Sequence, residues 1–101
     1  MILVRDVFHL KFGKARDFKA AMQEGLTLLK GMTPSTSWRL LSDLTGRSYT
    51  FVLESTYDDL QHYKTTMDLT PEQREVWSTW YVTKVVPLCE SGERQIYTIE
   101  G

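Results

Sequence analysis

Apolar and polar positions alternate at the start of the chain. Ile2, Val4, Phe8, Leu10 and Phe12 fall on one side, and Leu3, Arg5, Val7, His9 and Lys11 on the other, the period of two that a β-strand imposes. Asp6 interrupts the apolar side, and the opposite side mixes apolar with basic residues, so neither face reads as a plain solvent face. Gly13 breaks the strand. From Ala15 to Leu29 the period lengthens to that of a helix, with Ala15, Phe18, Ala21, Met22, Gly25, Leu26 and Leu29 sharing one side. Gly25 within that stripe costs about 1 kcal/mol of helix propensity relative to alanine, which a close approach to the sheet would offset. Gly31 is placed to end the helix in a left-handed conformation, and Pro34 prevents its continuation.

Residues 37–44 and 47–54 are rich in strand formers, and Thr45-Gly46 between them predicts a tight hairpin spanning Trp38 to Glu54. Ser55 or Thr56 is then placed to cap a helix, with Asp58 or Asp59 near its positive end and Leu60, Tyr63 and Met67 as its buried stripe. Thr70-Pro71-Glu72-Gln73 is a capping-box start, and the helix it opens is predicted to run to about Val86. On a helical wheel Val76, Trp77, Trp80, Tyr81, Val85 and Leu88 cover nearly half the circumference, wider than the roughly 100° stripe that one packed face needs. This helix is therefore expected to touch two things: Trp80 and Val76 the core, Trp77 or Tyr81 a cleft or a partner. A turn at Gly92 leads to a last strand over Gln95–Ile99.

Strand, helix, two strands, broken helix, strand is the split βαβ order of the ferredoxin-like α+β class, βαββαβ. Right-handed crossovers give an antiparallel sheet ordered 4-1-3-2 in one domain over residues 1–101. Two helices cover one face of such a sheet, yet Leu3 and Val7 lie on the other. A second copy supplies the missing cover, so a homodimer burying about 2,000 Å² or more is expected.

Three segments carry a family resemblance: Leu10-Lys11-Phe12-Gly13-Lys14-Ala15 followed by Phe18, the hairpin Leu41 to Glu54, and Tyr57-Asp58-Asp59-Leu60. With them almost the whole chain resembles the dimeric α+β barrels, most closely the NIPSNAP-like proteins and their relatives the antibiotic-biosynthesis monooxygenases. The resemblance implies two sheets packed face to face and, in each protomer, a ligand site between sheet and helices. Members range from cofactor-free oxygenases through haem-degrading enzymes to proteins without an assigned activity, and none of the three segments is a catalytic signature. Fold therefore leaves function open.

Composition narrows the classes. Hydrophobic residues make up 42% of the 101 and charged residues 25%, an ordinary globular balance. A net charge of −1 provides no positive field for nucleic acid or an anionic membrane surface. No apolar run approaches the about 20 residues of a membrane helix, and the strand-like start does not read as a secretory signal, so a cytoplasmic protein is expected. Cys89 alone allows neither an intramolecular disulfide nor an ordinary zinc site.

The candidate ligand-binding residues are Arg5, His9, Arg39, Tyr49, Trp77, Tyr81 and Lys84. Arg5, His9 and Lys11 form a basic trio on one face of the strand that could hold an anionic or phenolic group; pairing with carboxylates inside the barrel or at its rim is the favoured explanation. Lys84 falls inside the apolar arc of the last helix, beside a ligand anion or an aromatic face, unless its stem carries the ammonium out to water. An aromatic cleft is expected between Tyr49, Phe51 and that helix. His62 lies opposite its helix's apolar stripe as a surface residue. The haem-degrading relatives use a histidine with a nearby asparagine, and this chain has no asparagine. No metal or cofactor is expected, since histidine pairs at ligand spacing, glycine-rich phosphate loops and a nucleophile elbow are all missing. Three functions fit: a small-molecule-binding dimer; a cofactor-free oxygenase on an aromatic or polyketide-like substrate, assisted by His9 or Arg39; or an assembly domain acting through its sheet edges.

Overall fold

A computed structural model describes residues 1–101. Its frame is one antiparallel sheet of β1 (Ile2–Leu10), β2 (Trp38–Ser42), β3 (Thr50–Tyr57) and β4 (Cys89–Thr98), ordered β2-β3-β1-β4. That is the expected ferredoxin-like order. Helix α1 (Ala15–Met32) and helix α3 (Pro71–Trp80) cover one face, and the short α2 (Leu60–Thr66) lies between β3 and α3 in the chain. No helix is long and apolar enough to cross a membrane.

The core forms where the helical stripe of α1 meets the apolar face of β1 and β3. Phe18, Met22 and Leu29 pack with Phe8, Leu10, Phe51 and Leu53, and Trp80 and Val85 close the cluster. Phe18 lies between two strand aromatics, its ring centroid 5.2 Å from Phe8 and 4.9 Å from Phe51. Those two are cross-strand partners in the β1–β3 register, which explains why one helical residue touches both.

Several local expectations are corrected. Helix α1 runs through Gly31 to Met32, and Gly31 does not adopt a positive φ. Thr33 ends it instead: its backbone N–H and its hydroxyl both donate to Leu29 O, each at 2.7 Å, and the hydroxyl accepts from Trp38 Nε1. Strand β3 continues to Tyr57, so Ser55 and Thr56 are strand residues and Asp59 caps α2, accepting from His62 N at 2.8 Å. No residue of that seven-residue helix is buried; Leu60 is exposed and Tyr63 and Met67 are half-buried. Thr45-Gly46 does not make a two-residue turn, because β2 and β3 are joined by residues 43–49, with Gly46 and Tyr49 both at positive φ. Gly92 lies within β4 opposite Phe8 rather than in a turn. A Cβ there would meet Val7 O at 3.5 Å, an ordinary van der Waals contact, so the strand does not require glycine at this position.

The capping box of α3 forms as expected: Gln73 N donates to Thr70 Oγ1 at 3.2 Å and Thr70 N donates to Gln73 Oε1 at 3.0 Å. The helix then changes type, with a π-helical turn over Tyr81–Val85 and a 3₁₀ turn over Val86–Leu88. The i→i+5 bonding of the π turn rotates later residues off the α-helical wheel. Val85 packs in the core with Trp80, as its place in the apolar arc implied, whereas Lys84, from the same arc, lies exposed to solvent. Val76, expected beside Trp80 in the core, is 49% exposed.

Candidate functional site

The wide apolar arc of the last helix faces a cleft of about 460 Å³ between sheet and helices. Phe8 and Leu53 come from the sheet, Met22 from α1, Trp77 and Trp80 from α3, and Tyr81 from the π turn. The aromatics form one wall: Trp77 lies 4.7 Å from Trp80 and 6.5 Å from Tyr81 between centroids, and Tyr81 lies 6.5 Å from Phe8. Trp80 is only 5% exposed and its indole N–H has no hydrogen-bond partner. Gly25 makes room for it, since a side chain on that residue would collide with the indole.

Polar groups gather at one end. Asp6, which broke the apolar alternation of β1, is the register partner of Arg94 on β4. Arg94 Nε donates to Asp6 Oδ1 at 2.7 Å, and its guanidinium lies 5.9 Å from the Tyr63 ring centroid. Burial pushes the Tyr63 and Tyr81 phenols above their ordinary pKa; for Tyr81 the charges of Cys89 and Asp6 add to this and Arg94 opposes it. Both stay neutral at physiological pH. Partial burial works against the charge of Arg94, yet its hydrogen bond to Asp6 and the Asp6 charge hold its pKa above the ordinary value. The cleft thus joins an apolar aromatic body to a fixed ion pair.

A second polar cluster lies on the helix-free face of the sheet. Glu54, 8% exposed, is gripped by Arg39 Nη2 at 2.6 Å and by Arg5 Nε at 3.2 Å. Arg5 Nη1 also donates to Gln95 Oε1 at 3.2 Å, and Tyr97 OH donates to the same oxygen. His9 Nδ1 lies 3.3 Å from Thr50 Oγ1. Strand alternation places Leu3, Val7, Val52 and Leu41 among these groups.

No protein-family profile and no curated protein matches the sequence. Solved structures do match. A NIPSNAP domain protein from Burkholderia xenovorans superposes with a TM-score of 0.76 over 98% of this chain and 94% of that one, at 20% identity. The chain has the NIPSNAP-like fold. Similar likenesses join it to a candidate antibiotic biosynthesis monooxygenase from Nitrosomonas europaea (TM-score 0.72, all of both chains, 18% identity). SnoaB, a cofactor-independent oxygenase from Streptomyces nogalater, superposes at 0.70 over 99% of this chain and 93% of that one, at 13% identity. At such identities the likeness concerns the fold.

The NIPSNAP-like fold divides the seven candidate residues. Trp77 and Tyr81 line the cleft. Arg5, His9 and Arg39 lie on the opposite sheet face, engaged with Glu54, Gln95 and Thr50. Lys84, in the π turn, is exposed along a separate groove between α1 and α3 and does not line the cleft. Tyr49 sits in the β2–β3 loop against Phe12, centroids 5.2 Å apart, and Phe51 packs on Phe18 in the core; neither walls the cleft. Asp6, Arg94, Phe8, Met22 and Leu53 are among the cleft residues that sequence reasoning missed. Asp6 left a signal by interrupting the alternation, but its partner becomes visible only through the β1–β4 register. His62 is exposed, its Nδ1 accepting from Asp58 N at 3.0 Å. No group of three or more histidine, cysteine or carboxylate side chains converges as a metal site. Burial pushes the Cys89 thiol up, with Lys11 opposing, so it is held away from the reactive thiolate.

Proposed function

We propose that the protein is a homodimer whose protomers each bind a small apolar or aromatic molecule in the cleft walled by Trp77 and Tyr81. The aromatic-lined cleft with a polar pair at one end carries this reading, because such a combination of apolar walls and few convergent polar groups is the usual build of a small-molecule site. Titration with 1-naphthol, a neutral aromatic probe, followed by tryptophan fluorescence, tests it. Saturable quenching that weakens in Trp77→Ala is the expected result, and a spectrum unchanged up to the solubility limit would remove the cleft as a ligand site.

The dimer reading rests on the helix-free face, where Leu3, Val7, Val52 and Leu41 surround a buried Glu54 held by the partly exposed Arg5 and the exposed Arg39. Val7 is already buried in the single chain, but Leu41 is exposed and Leu3 and Val52 are half-buried; a second sheet laid on this face would bury them. The likeness to SnoaB raises cofactor-free oxygenation as a second reading. In this chain the groups available to such chemistry in the cleft are Asp6, Tyr81 and Arg94, whereas His9 and Arg39 lie across the sheet from it. Oxygen uptake with an electron-rich phenol, abolished by Tyr81→Phe but not by His9→Ala, would favour the oxygenase; binding without turnover would favour the binding protein.

A further inference from the structure

Arg94 has capacity it does not use. Its Nε donates to Asp6 and its guanidinium also interacts with the Tyr63 phenol, yet its side chain is 55% exposed, so its terminal nitrogens keep open donor positions at the cleft end. A guanidinium carries five N–H donors and no acceptor. With Nε engaged, what remains is the parallel pair on Nη1 and Nη2, a fork whose spacing matches the two oxygens of a carboxylate. The fork is also aimed. Asp6 on the neighbouring strand fixes one edge and the Tyr63 ring lies 5.9 Å away, so little side-chain freedom is lost when a ligand binds.

Resting on the cleft being a ligand site, we propose that its ligand is an amphipathic carboxylic acid. The apolar body lies among Phe8, Met22, Trp77 and Tyr81, and the carboxylate takes the free fork of Arg94. A cationic head group would be repelled by Arg94, and a single neutral carbonyl oxygen would satisfy only half of the fork. Asp6 opposes an incoming anion, but it is already committed to Nε, and at a half-exposed site solvent screens that longer-range repulsion more than the direct bidentate contact. The cleft volume of about 460 Å³ accommodates one or two rings, or an aliphatic chain of similar bulk, at the small end of known ligand pockets.

Calorimetric titration with naphthalene-1-acetate and with its methyl ester tests the head group on one apolar body. The acid is expected to bind about tenfold tighter than the ester, a preference that falls as salt is added. Arg94→Gln is expected to abolish the preference because the acid loses much more affinity than the ester, and Arg94→Lys to keep only part of it, since the charge stays and the fork is lost. Thermal unfolding of both variants checks that they fold; if the glutamine variant does not, the lysine variant decides. Equal binding of acid and ester would overturn the carboxylate inference and leave the cleft standing. A preference that survives unchanged in both variants would assign the carboxylate to another group and overturn it as well. If neither compound binds the wild-type protein, the inference and the cleft reading fall together.

Discussion

Gly25 of α1 and Trp80 of α3 occupy one another's space: the indole fills the position where any larger residue at 25 would place its Cβ. The glycine costs α1 about 1 kcal/mol of helix propensity and lets the indole of Trp80 reach the core. Gly25→Ala therefore sets a propensity gain against an overpacking loss of typically 1 to 3 kcal/mol. Net destabilisation is expected, measured as a lower urea midpoint with an unchanged slope. In a Trp80→Leu background the same change should become neutral or stabilising. An alanine that stabilises the wild-type protein would show that the indole moves aside without cost.

Trp77, Trp80 and Tyr81 should differ under truncation. Trp80→Ala removes a core residue and is expected to cost about 3 to 5 kcal/mol. Trp77→Ala and Tyr81→Ala act at half-buried cleft positions and should cost clearly less while weakening 1-naphthol binding. Urea midpoints for the three variants decide this, and equal losses would remove the distinction between core and cleft on this helix.

Light scattering should find a dimer at micromolar concentration, with about 2,000 Å² or more buried between protomers. Leu41, 38% exposed on the helix-free face at the β2 edge, is the position for testing the face with least damage to the fold. Leu41→Asp should shift the protein toward monomer by placing a charge in an apolar contact. A stable, folded wild-type monomer would overturn the dimer.

Alkaline stability should report the buried phenols. Tyr57, Tyr63 and Tyr81 have pKa values raised by burial above the ordinary 10.0. Because the folded state holds these protons more tightly, their contribution is complete below the unfolded pKa. It is lost as pH rises from there through the folded values. Urea unfolding from about pH 8 to 11 should thus show a plateau and then a decline, and Tyr81→Phe should make the decline shallower. A decline of the same steepness in Tyr81→Phe would show that this phenol titrates alike in both states.

What the sequence by itself determined is whatever depends on neighbours along the chain. The period of two in β1, the period of the α1 stripe and the Thr70–Gln73 capping box are set by residues within a turn or a pleat of one another, and each is present in the folded protein. From these elements the antiparallel order followed, because crossover handedness leaves few alternatives. Local chemistry also misled where tertiary contacts overrode it: Gly31 and Gly92 look like breakers until one sees that α1 is ended by Thr33 with Trp38, and that Gly92 lies against Val7 and Phe8. The cleft itself was decided only by tertiary structure. Asp6 and Arg94 are 88 residues apart and meet through strand register, and a π turn, which no fixed-period wheel contains, accompanies the exit of Lys84 from the apolar arc, while Val85 is buried as the wheel placed it. The basic residues of β1 were legible as a cluster, but their side of the sheet matters more than their spacing. Alternation places Arg5 and His9 on the face away from the helices, and Glu54, arriving from β3, takes up the charge of Arg5.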